Sequence, residues 1–400
     1  MNDDLASPKM LSSRRTALKL GAAATLALGI RPSSAMAQTG PIKIGLSAAF
    51  SGPNAQAGQT IQLGADLAID EINAAGGVLG RPFALVTRDN EHKLDRGVSQ
   101  ARELVEREGC AAILGSQGSF IGVAVIDTMN ELQVPWFGTS VGGVGIIENG
   151  RKPNYMFRVA TNDRDVAKFL VGYGVDKGGS KKIGILVEDT GWGVPAIDDL
   201  KAALKSHNLE AVSVDKLKVG DVDFTPQMQR ASKAEAETIL TFTNGPEMAN
   251  ALKAANKIGY KPKVIGAWGL AGATFPSLAG PLGNGVMVMQ TFTFVNNDKP
   301  KAQALFKRLT AKNSVRDPAE IPFPSYVGNT YDAVHMIALA IKKAGATDGP
   351  KMLAALENLG DYQGLIKNYA NPFSPTDHEA LNPQDYAMTV WNGTRLELTT

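Results

Sequence analysis

Short apolar runs alternate with helical stripes from Ile42 onward, and this alternation is the feature that most constrains the fold. The run IKIGLSAAF predicts a strand, and after a turn at 51–53 apolar residues recur with helical spacing as far as 76–77. FALVTRD predicts a second strand, a second helical stripe ends at Gly109, and AAIL and VPWFG predict strands around another helix. This β-α-β-α order is typical of a parallel sheet covered by helices.

The same rhythm restarts after NYMFRVATND, which predicts a second parallel α/β unit. Strands are predicted at KKIGILVED, LEAVSVDKLKV, TILTFTN, KVIGAWG and GVMVMQTFTF. Two long helices follow at about 300–312 and 325–344, and the chain closes with a hairpin that turns at 392–393. Ligands of parallel sheets bind beyond the carboxyl ends of the strands, so two tandem units predict a ligand in the crevice between them.

The first 37 residues predict an export signal rather than part of the fold. A twin arginine at 14–15 precedes an apolar run that is short for a bilayer span, and a small-x-small site follows at 35–37. The segment resembles the bacterial twin-arginine signal, with Ala17 where that motif usually has Phe. We expect cleavage after Ala37 and a location in the periplasm; the alternative is a transmembrane anchor.

The net charge of the chain depends on this signal. The whole chain is at +2, but the predicted signal holds five basic and two acidic side chains, so the remainder is near −1. Those side chains are Asp3, Asp4, Lys9, Arg14, Arg15, Lys19 and Arg31. No basic face for nucleic acid is implied, and no later apolar stretch approaches membrane-spanning length.

Most catalytic and cofactor motifs are absent. The single cysteine, Cys110, allows no intramolecular disulfide and is interpreted as a small buried residue. The four histidines lie far apart without metal-ligand spacing, so we expect no metal and no cofactor. No G-x-x-x-x-G-K-[ST] occurs, and Glu148 stands where a dinucleotide-binding loop at 143–148 would need its third glycine.

One match to a nucleophile elbow exists, GTSVG at 138–142 around Ser140. Such an elbow needs a helix directly behind the serine, whereas glycines at 143 and 145 follow here, and no histidine is placed beside it. An exported hydrolase or amidase therefore remains an alternative function, but the sequence identifies no general base for its serine.

Small polar residues follow most of the predicted strands. Their hydroxyl and backbone N–H groups suit a carboxylate ligand. Ser119 either caps the helix that begins near Ile121 or holds such a ligand. These strand ends are Ser47 to Ser51, Ser116 to Ser119, Gly138 to Gly142, Asp189 to Trp192, Asn244 and Trp268.

These stretches, in one order from about residue 42 to the C-terminus, resemble the type I periplasmic solute-binding proteins of ABC importers, the group that includes the leucine/isoleucine/valine-binding protein. The stretches that carry the resemblance are IKIGLSAAFSGPNAQAG, GADLAIDEINAAGGVLGRPFALVTRDNE, VPWFGTS, GILVEDTGWG, NGPEMANALKAANKIG and FSPTDHEAL.

The resemblance implies two doubly wound parallel-sheet α/β lobes joined by a three-strand hinge and closing on a solute. It implies a monomeric receptor without enzymatic activity that delivers its solute to an ABC permease in the inner membrane; a role in sensing is the alternative. The crossings are expected near 158–162, 287–292 and 383–387. Lobe 1 is expected at 41–160 with 290–384, and lobe 2 at 161–289 with 385–400.

The resemblance also implies a set of ligand contacts. Amino-acid-binding members hold the solute carboxylate through a serine after the third strand, here Ser119, and through the loop after the fourth strand. A loop at the first crossing falls at 162–164. The expected contacts are Gln117, Ser119, Phe120, Thr139, Ser140, Gly142, Asp163, Trp192, Asn244 and Trp268.

Departures from the family pattern affect the expected solute. Trp268 stands where amino-acid binders have the glutamate that pairs with the solute ammonium, and Asn244 or Gly245 replaces a tyrosine. Ala57 stands where a large aromatic is common. A buried ammonium without a counter-charge is costly, unless Asp163 or Asp189 substitutes. We therefore expect an aromatic or 2-oxo acid slightly before a branched-chain or aromatic amino acid.

Overall fold

Five parallel strands form the first sheet, in the order β2-β1-β3-β4-β5. The structure, a computed structural model, describes residues 40–115, 117–312 and 315–399; the predicted export signal lies outside these residues. The strands are β1 (Ile42–Ala48), β2 (Phe83–Asp89), β3 (Ala112–Gly115), β4 (Trp136–Gly138) and β5 (Met156–Arg158). The helices between them are α1 (Ala55–Ala74), α2 (Leu94–Glu106), α3 (Ser119–Ala124) and α4 (Ile126–Leu132).

The carboxyl ends of the central strands of this sheet lie level with one another. Ser47 of β1 pairs with Gly115 of β3, which pairs with Gly138 of β4, which pairs with Arg158 of β5. The loops that follow these strands therefore gather at one edge of the first lobe, the name used here for this sheet and its helices.

Seven strands form the second sheet, and they define the second lobe. Their order is β14-β13-β10-β9-β8-β6-β7. The five strands from β10 to β7 in this order are parallel, whereas β13 pairs antiparallel with β10, and β14 pairs antiparallel with β13. The strands are β6 (Ile183–Glu188), β7 (Ala211–Leu217), β8 (Thr238–Phe242), β9 (Lys263–Gly266), β10 (Met287–Gln290), β13 (Ala387–Asn392) and β14 (Arg395–Leu398). The helices are α5 (Asp163–Gly172), α6 (Gly193–Ser206), α7 (Thr225–Lys233), α8 (Gly245–Lys257) and α9 (Thr274–Ala279).

Between β10 and β13 the chain returns to the first lobe. This segment holds α10 (Pro300–Lys312), α11 (Pro324–Ala344), α12 (Gly349–Leu356) and a small hairpin of β11 (Tyr362–Gln363) and β12 (Asn368–Tyr369). Helix α11 packs against α1 so closely that a Cβ added at Gly64 would lie 2.6 Å from the carbonyl oxygen of Val327. Among the described helices, none combines the length and the apolar character that a membrane crossing requires.

The two sheets share one strand order. In the first, β1 lies between β2 and β3; in the second, β6 lies between β7 and β8. In such doubly wound sheets the connections diverge at this point and leave a crevice at the strand carboxyl ends, where ligands bind. The topology therefore places one candidate site edge after β1 and β3 and another after β6 and β8.

The predicted α/β architecture with two parallel-sheet lobes is confirmed. Strand β2 coincides with FALVTRD, and β13 and β14 form the predicted hairpin, where Gly393 has a φ of +62°. The stretch GVMVMQTFTF is a strand only at 287–290, because the amide of Thr291 donates to Ser325 Oγ at 2.9 Å instead of to a sheet neighbour. The residue limits of the two lobes stay a prediction.

The interpretation of Cys110 is confirmed. The thiol is buried, and burial raises its pKa to about 12, so the thiolate is not populated at neutral pH.

Candidate functional site

A cavity lies where the two candidate edges meet. Its volume is about 70 Å³, and an outer chamber of about 450 Å³ shares part of its wall. Of the ten residues predicted as ligand contacts, the cavity is lined by seven: Gln117, Ser119, Phe120, Ser140, Trp192, Asn244 and Trp268. The other three, Thr139, Gly142 and Asp163, lie behind the wall. Contact of all ten with a ligand stays a prediction.

Ser119 reaches the cavity through a turn that requires glycine. Gly118 has a φ of +104°, a backbone conformation that residues other than glycine rarely adopt. The next residue, Ser119, begins α3. The Ser119 hydroxyl oxygen accepts a hydrogen bond from the Gly143 amide at 3.0 Å and does not cap α3. Its own proton can therefore point to another acceptor.

Ser140 supplies a second hydroxyl to the same wall. The side chain is buried, and its oxygen has no hydrogen-bond partner among the described residues. The neighbouring hydroxyl of Thr139 is also buried without such a partner, while its carbonyl oxygen accepts from Asn329 Nδ2 at 3.0 Å. Because an unsatisfied buried hydroxyl costs free energy, this loop favours a ligand that carries an acceptor.

Two tryptophans form the wall on the second lobe. The rings of Trp192 and Trp268 lie 5.5 Å apart at 47°. The Trp192 indole N–H donates to Asp163 Oδ1 at 3.3 Å, and the Trp268 side chain hydrogen-bonds the Tyr326 hydroxyl. With their polar atoms engaged by protein groups, the rings offer apolar surface to a solute.

Asp163 links the two lobes behind this wall. It is buried at the start of α5, and its amide donates to the carbonyl oxygen of Gly142 at 2.8 Å. Burial raises its pKa to about 7 against the opposing charge of Arg158. The helix cap is Asn162, whose side chain accepts from the Arg164 amide at 3.0 Å.

The carboxylate inside the cavity belongs to Glu188, which the sequence patterns did not identify. Glu188 ends β6 and is 2% exposed; its Oε1 accepts from the Asn244 amide at 2.6 Å and its Oε2 from Asn244 Nδ2 at 3.1 Å. Burial raises its pKa to about 7. Asp189, the sequence candidate for pairing an ammonium, instead binds Lys216 Nζ at 2.8 Å on the surface.

His92 lines the cavity from the first lobe. Its ring lies edge-on to Phe120 at 5.0 Å, and its Nδ1 has no hydrogen-bond partner in the described part of the chain. Burial lowers its pKa, so the imidazole is neutral at pH 7. In the sequence His92 was considered only as a metal ligand, for which the spacing of the histidines is wrong.

Further lining residues were not identified from the sequence as ligand contacts. Phe323 and Tyr326 stand at the start of α11, and their rings stack at 4.8 Å. Their approach to the cavity depends on the return of the chain to the first lobe, for which no local motif exists. Thr190 lies within the predicted strand end at 189–192, and Asn54 lies three residues beyond the one at 47–51.

The cleft is closed around the cavity. Gln56 Oε1 on α1 accepts from the Ala273 amide at 3.0 Å, and the Phe323 amide donates to the carbonyl oxygen of Ala271 at 3.1 Å. A Cβ added to Gly191 would lie 3.3 Å from the Cβ of Phe120. Contacts of this kind join the two lobes.

The site lacks the features of a serine hydrolase. Ser140 is followed by irregular chain and a short 3₁₀ turn at Val144–Ile146, not by an α-helix. No base is bonded to its hydroxyl among the described residues. The elbow motif at 138–142 is therefore a loop that presents a hydroxyl, without the base that activates a nucleophile.

Comparisons with known proteins agree with this geometry. A family model described as periplasmic binding protein matches residues 41–395. The leucine-, isoleucine-, valine-, threonine- and alanine-binding protein of Pseudomonas aeruginosa is 28% identical over 338 residues, which cover 82% of this chain and 88% of that protein. The Leu/Ile/Val-binding protein homolog 3 of Brucella melitensis is 26% identical over 313 residues, 78% of this chain and 82% of that protein.

A solved structure is also similar. A type 1 periplasmic binding protein from Bordetella pertussis superposes with a TM-score of 0.81 at 25% identity, covering 90% of this chain and 99% of that chain.

Proposed function

The chain belongs to the periplasmic binding protein family, and we propose that it captures a small carboxylate-bearing solute in the closed cleft and delivers it to an ABC permease in the inner membrane. The family consists of solute-binding proteins rather than enzymes. Export through the signal at 1–37, cleavage after Ala37 and a monomeric state are parts of this proposal.

One observation carries the choice of a carboxylate. The Ser140 hydroxyl is buried at the cavity wall without a partner, and the Ser119 hydroxyl beside it keeps a proton to donate. Both can donate to a carboxylate, and among the described residues that line the cavity the one acidic side chain is Glu188. Closure then places the solute between groups of both lobes, so only the closed state makes all the contacts.

An aromatic acid is the first candidate solute. The faces of Trp192 and Trp268 favour a flat apolar body, through stacking and through the apolar area that is removed from water. The 2-oxo acids fit less well, because a keto oxygen near an ionised Glu188 would bring two acceptors together.

An amino acid is the second candidate, and Glu188 is the observation that favours it. Trp268 removes the usual acidic partner of the ammonium, but Glu188 brings a different carboxylate to the cavity. The Pseudomonas relative, whose name states that it binds five amino acids, supports the same candidate.

A thermal-shift panel tests the proposed function. Benzoate, 4-hydroxybenzoate, leucine, phenylalanine and 4-methyl-2-oxopentanoate would be compared with benzamide and leucinamide on the mature chain. A ligand at 100 times its dissociation constant stabilises the fold by about 2.7 kcal/mol. We expect a rise in Tm with at least one carboxylate and none with its amide. No rise with any carboxylate, or an equal rise with the amide, would contradict the proposal.

A further inference from the structure

Glu188 and Asn244 lie together at the carboxyl edge of the second sheet, where the connections on the two sides of β6 diverge. Strands β6 and β8 are neighbours, with Val187 opposite Phe242; Glu188 follows the first of these positions directly, and Asn244 follows the second after one residue. This is the crevice edge at which doubly wound sheets place ligands. Their location is therefore that of a binding group rather than of a lobe core.

Asn244 is committed to Glu188. It precedes α8 in extended conformation, the position at which asparagine usually caps a helix, yet its side chain makes no cap hydrogen bond. Its amide Nδ2 and its backbone N–H both donate to Glu188 instead. The chain gives up a cap in order to fix the orientation of one carboxylate.

The fixed carboxylate keeps unused acceptor capacity. Each of its oxygens accepts one hydrogen bond from Asn244, and each can accept another. Among the described residues no lysine or arginine lines the cavity or the outer chamber, and the like charge of Glu247 raises the pKa of Glu188 further. A buried carboxylate without a cation is costly, so a donor on the solute would offset the cost.

The carboxylate and the serine hydroxyls differ in their relation to the outer chamber. Glu188 and Asn244 line both the cavity and the outer chamber, whereas Ser119, Ser140 and Trp268 line the cavity alone. A solute held by its carboxylate at the two serines therefore turns another part of itself toward Glu188.

We propose that Glu188, positioned by Asn244, determines the specificity of the site by accepting a hydrogen bond from a hydroxyl or ammonium group on the solute, set apart from the carboxylate that the serines hold. This inference rests on the proposed function and narrows its solute class: the solute carries both a carboxylate and a hydrogen-bond donor. His92, on the first lobe, also lines both the cavity and the outer chamber.

Two skeleton-matched pairs of probes test this inference by isothermal titration calorimetry at pH 8. The pairs are 4-hydroxybenzoate with benzoate, and leucine with 4-methyl-2-oxopentanoate; they separate a hydroxyl donor from an ammonium donor. In the pair that binds, we expect the donor-bearing member to bind the wild-type protein about tenfold or more tighter than its partner. Glu188→Gln, which keeps the side-chain volume, should bring this ratio close to one.

Glu247→Gln is the matched control. Glu247 is a buried glutamate of the same lobe that lines only the outer chamber, where its Oε1 accepts from the Gly220 amide at 3.3 Å. This variant should keep the wild-type ratio. Asn244→Ala leaves the Glu188 carboxylate in place without its side-chain support, and should reduce the ratio by a smaller factor than Glu188→Gln.

The outcomes separate the two proposals. A binding pair without donor preference, or a preference that survives in Glu188→Gln, overturns the inference about Glu188 and leaves the carboxylate receptor intact. If none of the four probes binds the wild-type protein, the proposed function fails, and the inference fails with it.

Discussion

At the scale of single residues, the cavity wall carries hydroxyls and one carboxylate whose positions follow from strand ends. Ser119 and Ser140 were predictable, because small polar residues directly after buried strands can be recognised in the sequence. Glu188 was not, because the stretch KKIGILVED does not show whether the strand ends on Glu188 or Asp189. The structure ends β6 at Glu188, which lies in the cavity wall, while the next residue pairs with a surface lysine.

Ser140→Ala should weaken a bound carboxylate without harming the free protein. The hydroxyl has no partner among the described residues, so its loss removes no internal hydrogen bond. We expect binding to weaken by about 1–3 kcal/mol in calorimetry, with an unchanged Tm of the ligand-free chain. The comparison variant is Ser119→Ala, which also leaves the Gly143 amide unpaired. It should lower both the affinity for the carboxylate and the Tm of the ligand-free chain. Full affinity in Ser140→Ala would remove this residue from the site.

At the scale of elements, the strands and helices follow from local patterns, but the contacts between segments far apart in the sequence do not. Arg158, at the end of β5, is fully buried and pairs with both carboxylate oxygens of Glu379, which lies 221 positions later. The Arg158 NH1 group donates to the carbonyl oxygen of Gly143 at 2.8 Å, and the amide of Gly143 donates to the Ser119 hydroxyl oxygen. No sequence pattern indicates this pairing, because it depends on the late return of the chain.

Breaking this ion pair should cost much more than breaking a surface pair. Glu379→Gln leaves the buried guanidinium of Arg158 without its counter-charge, and we expect a loss of about 3–5 kcal/mol in the free energy of unfolding. Glu131→Gln, which removes a partner of Arg102 on the surface, should leave stability nearly unchanged. Urea denaturation measures both variants; an effect of Glu379→Gln as small as that of Glu131→Gln would show that the buried pair adds nothing to stability.

At the scale of the whole molecule, two lobes of the same strand order close on a cavity that holds a buried acid. Burial raises the pKa of Glu188 from 4.5 to about 7, and the pKa of Asp163 rises in the same direction. Between pH 4.5 and about pH 7 the folded chain keeps a proton on Glu188 that the unfolded chain has lost. The free energy of unfolding therefore falls as the pH rises through this window.

Glu188→Gln isolates this effect. The wild-type protein should lose about 2–3 kcal/mol more stability than the variant between pH 5 and pH 8, as measured by urea denaturation of the ligand-free chain. Parallel stability profiles for the two proteins would show that Glu188 has an ordinary pKa in the folded state.

The fold of the whole molecule was predictable, because two successive α/β rhythms of this length specify two parallel-sheet lobes. The chemistry of the cleft was predictable only on the side built from loops directly after strands. The wall formed by Phe323 and Tyr326 depends on the packing of α11 against α1, which no local pattern encodes.

A crystal structure of the mature chain with the carboxylate that gives the largest thermal shift tests the central claim most directly. We predict that the solute lies in the cavity, with its carboxylate within hydrogen-bond distance of Ser119 and Ser140. Its body should rest against Trp192 and Trp268, and its donor group should point to Glu188. A solute bound outside this cavity, or with its carboxylate turned toward Glu188, would contradict the account.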